Sequence, residues 1–164
     1  LVMNLCNIAD ELRGIVMLVT AEARDRGLHL ELKTEGDLEI VGDRDKLHQV
    51  FLNIILNGIH SMSSGDTLTI EAQRARNPAQ EHAEIEIAFR DTGLGIPEDF
   101  QEKIFEPFFT TKQDGTGLGL AIAKKIILAH KGRIEVSSNS PNGTIFTVFL
   151  PSRMSPYGPG EEQI

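Results

Sequence analysis

Asn53 and Asn57 stand four residues apart in "RDKLHQVFLNIILNGIHSM" (44–62). At about 100° per residue, a helix over this stretch gathers Gln49, Asn53, Asn57 and His60 into a narrow polar stripe. Leu47, Phe51, Ile55, Gly58, Ile59 and Met62 lie opposite, with Leu52 and Ile54 flanking them. Asparagine is a mediocre helix former because its side chain competes for backbone hydrogen bonds. Two of them in an otherwise apolar helix point to a use: both carbonyl oxygens can reach one hard cation of the magnesium type. The competing reading is a solvated face, and His60 alone reads more simply as a surface side chain than as a ligand.

A second group lies in "RDTGLGIP" (90–97), directly after an alternating stretch. Asp91 is thereby placed at a strand end, before a turn made possible by Gly93 and Gly95. A carboxylate there can accept a hydrogen bond from a ligand's amino group, an interaction worth about 1.5–3 kcal/mol when one partner is charged. The glycines let a ligand lie against the backbone. An ordinary Asp-Thr-Gly turn would look the same.

The third group is "FFTTKQDGTGLGLAIAKK" (108–125), where Gly115, Gly117 and Gly119 precede an apolar helical run. Each glycine costs up to about 1 kcal/mol against alanine inside a helix. The return is a set of open N–H groups at the positive helix end, where phosphates bind. Lys112 and its polar neighbours make this a phosphate-touching loop; the plainer alternative is a flexible linker. The Walker A pattern is absent, since no Gly is followed by Lys and then Ser or Thr. A dinucleotide fingerprint would need glycine where Leu120 stands, and a clean strand before Gly115.

These groups need elements to hold them. Residues 5–26 have apolar positions at Leu5, Ile8, Leu12, Ile15, Val16 and Val19, which is helical spacing, with Gly27 as the stop. Strands are expected over 28–33, 38–42, 67–75 and 83–91, and over a closing hairpin of "GRIEVSSN" and "GTIFTVFLP". Asp43 is expected to cap a helix over about 44–62. A short helix is expected near 98–103 and a longer one over about 117–131. The order is not βαβα, so the fold class expected is α+β: a two-layer sandwich with helices on one face of a mostly antiparallel mixed sheet.

The chain has 164 residues, which suits one domain. Its formal charge of −8 argues against a nucleic-acid partner, which demands a basic footprint. A single cysteine, Cys6, excludes an internal disulfide and fits a reducing compartment. No apolar run reaches the roughly 18 residues of a membrane span, and no signal peptide is visible. The apolar opening Leu1-Val2-Met3 reads as the continuation of a longer chain, and 152–164 as a disordered tail or linker after a domain over 1–151.

Taken together, the segments over about 5–151 resemble the ATP-binding catalytic domain of sensor histidine kinases, within the wider gyrase, Hsp90, histidine kinase and MutL group. Four motifs occur in that family's order: an asparagine box "HQVFLNIILNGIHSM", a glycine box "DTGLGIP", a phenylalanine box "IFEPFFTTK", and a second glycine box "GTGLGLAIAKKIILAHKGRIEVSS". The resemblance implies a Bergerat-type fold with ATP and Mg2+ as cofactors. It implies that Asn53 and Asn57 hold magnesium, and that Asp91 binds the adenine amino group with help from Thr144. Gly93 and Gly95 would shape the base pocket, Phe105 and Phe108 would anchor a lid, and Lys112 would touch the terminal phosphate. Gly115, Gly117 and Gly119 would form the lid hinge and helix start. Further nucleotide contacts are implied at His60, Ile96, Thr110, Thr111, Thr116 and Leu118. Where the family often has lysine, this chain has His60, so Lys112 is expected to carry more of the charge.

The resemblance further implies a phosphoryl donor whose acceptor is a histidine on a separate helical dimerisation domain, with a response regulator downstream. None of His29, His48, His60, His82 and His130 is followed by the acidic residue and proline usual at the family's acceptor. The acceptor is therefore expected before Leu1, the fragment to be monomeric, and its location cytoplasmic. Hydrolytic relatives place glutamate where Asn53 stands. An ATPase switch, a non-catalytic nucleotide-binding or docking module, and a serine-phosphorylating anti-sigma relative stay open.

Overall fold

In the computed structural model, residues 1–76, 83–109 and 117–152 are described. Among the described residues, polar-apolar alternation and helical spacing resolve into twelve elements. A first strand, β1 (Asn4–Asn7), leads into α1 (Ile8–Asp25). Then come β2 (His29–Thr34), β3 (Glu39–Gly42) and α2 (Arg44–Ser61). The strands β4 (Thr67–Arg76) and β5 (Ala83–Asp91) precede a short helix α3 (Glu98–Gln101) and a 3-10 turn at Lys103–Phe105. Helix α4 (Gly119–Ala129) and strands β6 (Arg133–Ser138) and β7 (Thr144–Pro151) complete the order.

Five strands form one sheet in the order β2-β4-β5-β7-β6. Only β2–β4 is parallel, because α2 crosses over between these two strands; the remaining pairs are antiparallel. The expected α+β sandwich is therefore the observed one. Its core lies between the helices and one sheet face: Phe51, Ile54, Ile55 and Ile59 of α2 meet Ile87 and Phe89 of β5 and Phe146 and Val148 of β7, all fully or almost fully buried. Phe51 and Phe89 stack at 6.1 Å between ring centroids.

Three boundaries differ from the sequence reading. The first helix does not begin near Leu5: residues 4–7 are a strand paired with β3 in a separate two-stranded ribbon, and Leu5 is exposed. Asn7 caps the helix, accepting from Asp10 N at 3.1 Å, which is why it starts at Ile8. Helical spacing alone cannot see this, since Leu5 falls in phase with Ile8 and Leu12. The strand at 38–42 belongs to that ribbon and not to the main sheet. The last helix runs Gly119–Ala129 rather than 117–131. His130 ends it, its Nδ1 donating to Ile126 O (2.7 Å) while Nε2 accepts from Asp43 N (2.9 Å). A carbonyl can only accept and an amide N–H only donate, so His130 carries its proton on Nδ1.

Asp43 caps α2 as expected, accepting from Lys46 N at 3.2 Å. Its carboxylate also accepts from Val2 N at 2.8 Å. These two N–H groups hold the Asp43 carboxyl below its ordinary range. The tail at 153–164 lies outside the described residues.

Candidate functional site

One cavity of about 390 Å³ opens between α2, the end of β5 and the start of α4. From α2 it is lined by Asn53, Leu56, Asn57, His60 and Ser61; from the loop after β5 by Asp91, Leu94, Gly95, Ile96 and Pro97. Ile104, Phe109, Gly117, Gly119, Leu120 and Thr144 complete the wall. Asp91, 31 or more positions along the chain from the two asparagines and His60, thus faces the same space as they do. Gln49 does not reach it.

Asp91 is nearly fully buried at the cavity floor, 3 % exposed. Its Oδ1 accepts from Gly93 N at 3.0 Å and from Thr144 N at 3.2 Å. The other oxygen, Oδ2, lies on the Gly58 side, 3.9 Å from where a Gly58 Cβ would stand. Two backbone donors on one oxygen fix the carboxylate's rotation and offset the cost of burying its charge. Gly93 does not line the cavity: it packs against the end of α2, where a Cβ would stand 2.6 Å from Ser61 O. Gly95 lines it beside Gly143. Thr144 lines the cavity, and its main-chain N–H holds the carboxylate.

Asn53 donates Nδ2–H to Gly119 O at 3.3 Å, pinning α2 to the first residue of α4. That bond leaves Oδ1 as the side chain's acceptor. Two neutral carboxamide side chains lining one cavity suit a magnesium ion that arrives with phosphates and keeps most of its own ligands. Among the described residues no group of three His, Cys, Asp or Glu could hold a metal without such help. The donor set therefore fits magnesium brought by a nucleotide.

His60 sits at the rim and pairs with Glu22 of α1, Nε2 to Oε1 at 3.2 Å. Phe105 and Leu118 lie outside the lining. The Phe105 ring packs edge-on against Phe146 at 6.2 Å, with Lys124 Nζ 5.2 Å above it. Phe108 exposes its ring, and its main-chain N–H donates to Gly117 O at 2.9 Å. Gly117 has φ +68°, and a Cβ there would stand 2.5 Å from the Phe108 carbonyl carbon, so only glycine fits. Thr110, Thr111, Lys112, Gly115 and Thr116 lie outside the described residues.

Sequence reasoning did not find Asn139, which donates Nδ2–H to the Asp91 carbonyl at 2.9 Å, or Glu22. Neither carries a local signal; one lies in a hairpin turn and the other on α1.

A family model described as histidine kinase-, DNA gyrase B-, and HSP90-like ATPase matches residues 42–154. The chain is 39% identical over 152 residues to the sensor histidine kinase ZraS of Salmonella typhi, covering 92% of this chain and 32% of that protein. It thus spans about a third of the length of this curated relative. The catalytic domain of histidine kinase ThkA superposes with a TM-score of 0.83 at 30% identity, over 93% of this chain and 97% of that one. ThkA in complex with the response regulator protein TrrA gives a TM-score of 0.77 at 28% identity, over 94% of this chain and 42% of that one. A motif match across two-thirds of the sequence and a near-complete superposition on a kinase catalytic domain lead to one grouping: the chain belongs to the family of histidine kinase-, DNA gyrase B-, and HSP90-like ATPases, as a histidine kinase-type ATP-binding domain.

Proposed function

We propose that this domain binds ATP with magnesium and donates the γ-phosphoryl group to a histidine on a separate helical dimerisation domain. The observation that carries the reading is the convergence of Asp91 with Asn53 and Asn57 on one cavity. Asp91 accepts the purine amino group at the floor. Asn53 and Asn57 would hold the magnesium ion, whose chemistry is to neutralise charge on the phosphates. The start of α4, from Gly117 to Gly119, offers N–H groups to the phosphate tail. Lys112 is assigned to the terminal phosphate and Thr110, Thr111, Gly115 and Thr116 to the loop that covers it.

Asparagine at position 53 favours transfer over hydrolysis, because a carboxamide is no base at neutral pH and cannot activate water. Phosphoryl transfer asks mainly for positioning and charge stabilisation once a nucleophile arrives. The ThkA–TrrA complex supports a response regulator as the next partner along the relay.

The test uses γ-labelled ATP with this chain, alone and mixed with the helical phosphoacceptor domain of the same full-length protein. Label is expected on the helical domain's histidine in the mixture and not on the chain alone. Stable phosphohistidine on the isolated chain, or steady hydrolysis by it, would contradict the proposal.

A further inference from the structure

The turn joining β6 to β7 folds back over the end of β5 and grips Asp91 at two places. Asn139 donates its side-chain N–H to the Asp91 main-chain carbonyl (Nδ2 to O, 2.9 Å). Thr144 donates its main-chain N–H to Asp91 Oδ1 (3.2 Å). The turn is itself braced, with Asn139 N donating to Gly143 O at 3.0 Å. Gly143 has φ +110°, and a Cβ there would stand 1.9 Å from the Asp91 carbonyl oxygen, so nothing larger than glycine lets the two strands come this close. On the opposite side the turn after Asp91 is tied to β4. Thr92 N donates to Thr67 O (3.2 Å) and Thr67 N to Thr92 Oγ1 (3.0 Å), while that hydroxyl donates to Asp66 Oδ1 (3.1 Å).

Holding the Asp91 carbonyl has a consequence beyond the turn. Asn139 ties the turn between β6 and β7 to the Asp91 main chain, and the same turn leads directly into Thr144, whose N–H donates to Asp91 Oδ1 at 3.2 Å. Release that tie and the turn can shift against β5, Thr144 N–H leaves Oδ1, and the carboxylate loses a donor that sets its rotation. Asn139 does not line the cavity. Its links to the cavity run through Asp91 and the turn that carries Thr144.

We propose that Asn139 is a positioning residue for base discrimination: it aims the Asp91 carboxylate at the exocyclic amino group of a purine. This rests on the assignment of Asp91 to adenine. It predicts an effect confined to the base, because Asn139 hydrogen-bonds to Asp91 and Gly143 at the base end of the cavity, away from the asparagines of α2.

The test compares the affinity of MgATP with that of MgITP, which has a carbonyl oxygen where adenine has the amino group. Isothermal titration would be run on the parent chain and on Asn139→Ala, Asn139→Asp and Asp91→Ala. A charge-assisted bond predicts that the parent prefers ATP by about 10- to 100-fold. Asn139→Ala is expected to lower that ratio about three- to tenfold with ITP affinity retained, the loss of one ordinary hydrogen bond's positioning. Asn139→Asp, which keeps the side-chain volume but turns an acceptor towards the carbonyl, is expected to lower it at least as far. If Asn139→Ala does not fold, Asn139→Asp decides alone. An unchanged ratio in the folded variants while Asp91→Ala abolishes it would overturn the inference. So would an equal weakening of ATP and ITP, which is what a merely structural role gives. A parent without base preference would overturn the assignment of Asp91 itself, a distinguishable failure.

Discussion

Asp91→Asn is predicted to exchange the base preference of the cavity, not simply to weaken binding. Asp91 Oδ1 takes N–H donors from Gly93 and Thr144. An asparagine at this position must keep its oxygen there, because its amide nitrogen would face two donors. The nitrogen is thereby forced into the place of Oδ2. A site that accepted from an amino group becomes one that donates. ATP then loses a charge-assisted bond and meets a donor with a donor, costing about 1.5–3 kcal/mol, or about 10- to 100-fold in affinity. ITP presents an acceptor to the new donor and gains an ordinary hydrogen bond, about 0.5–1.5 kcal/mol or roughly two- to tenfold. Titration of both nucleotides with magnesium reads both numbers, and circular dichroism checks that the variant is folded. Undiminished ATP binding, or ITP binding weakened in step with ATP, would refute the reasoning.

Two further outcomes follow from local geometry. Gly58 is buried within α2, where a Cβ would stand 3.5 Å from Leu68 Cδ1 and 3.9 Å from Asp91 Oδ2, ordinary contact distances. Gly58→Ala is therefore expected to raise stability by about 0.5–1 kcal/mol through helix propensity, read as a higher denaturation midpoint at unchanged slope; destabilisation would contradict it. Asp43 has its carboxyl held below the ordinary range by the Val2 and Lys46 N–H groups. A lowered folded-state value means stability that is present above the unfolded carboxyl value of about 3.9 and is lost as pH falls through the folded one. Asp43→Asn should thus be less stable than the parent at pH 7, with the gap closing in acid; a gap that persists there would show that the charge is not its source.

Much of the fold and site was legible because local chemistry announced it. Asn53 and Asn57 interrupt an apolar helix at a spacing that puts them on one face, and both line the cavity. Asp91 ends an alternating stretch and precedes two glycines, and it is the buried carboxylate at the floor. Asp43 precedes a helical pattern and caps it. The misreadings arise where two periods coincide or where a partner is distant. Leu5 lies in phase with the following helix, so only its pairing with Val41 reveals a strand. Asn139 matters through a contact 48 positions away and His130 through one 87 positions away, neither of which leaves a mark on its neighbours in sequence. Gly117 also packs against the Phe108 backbone, a constraint its own sequence neighbourhood does not show.

The central claim, one cavity that seats adenine on Asp91 and a magnesium-bearing phosphate tail on α2, is met most directly by a crystal structure of the chain with a non-hydrolysable ATP analogue and manganese in place of magnesium. The expected result is the purine amino group within hydrogen-bond distance of Asp91 Oδ2, with the anomalous manganese peak beside the side-chain oxygens of Asn53 and Asn57. A base seated away from Asp91, or a metal peak remote from both asparagines, would contradict it.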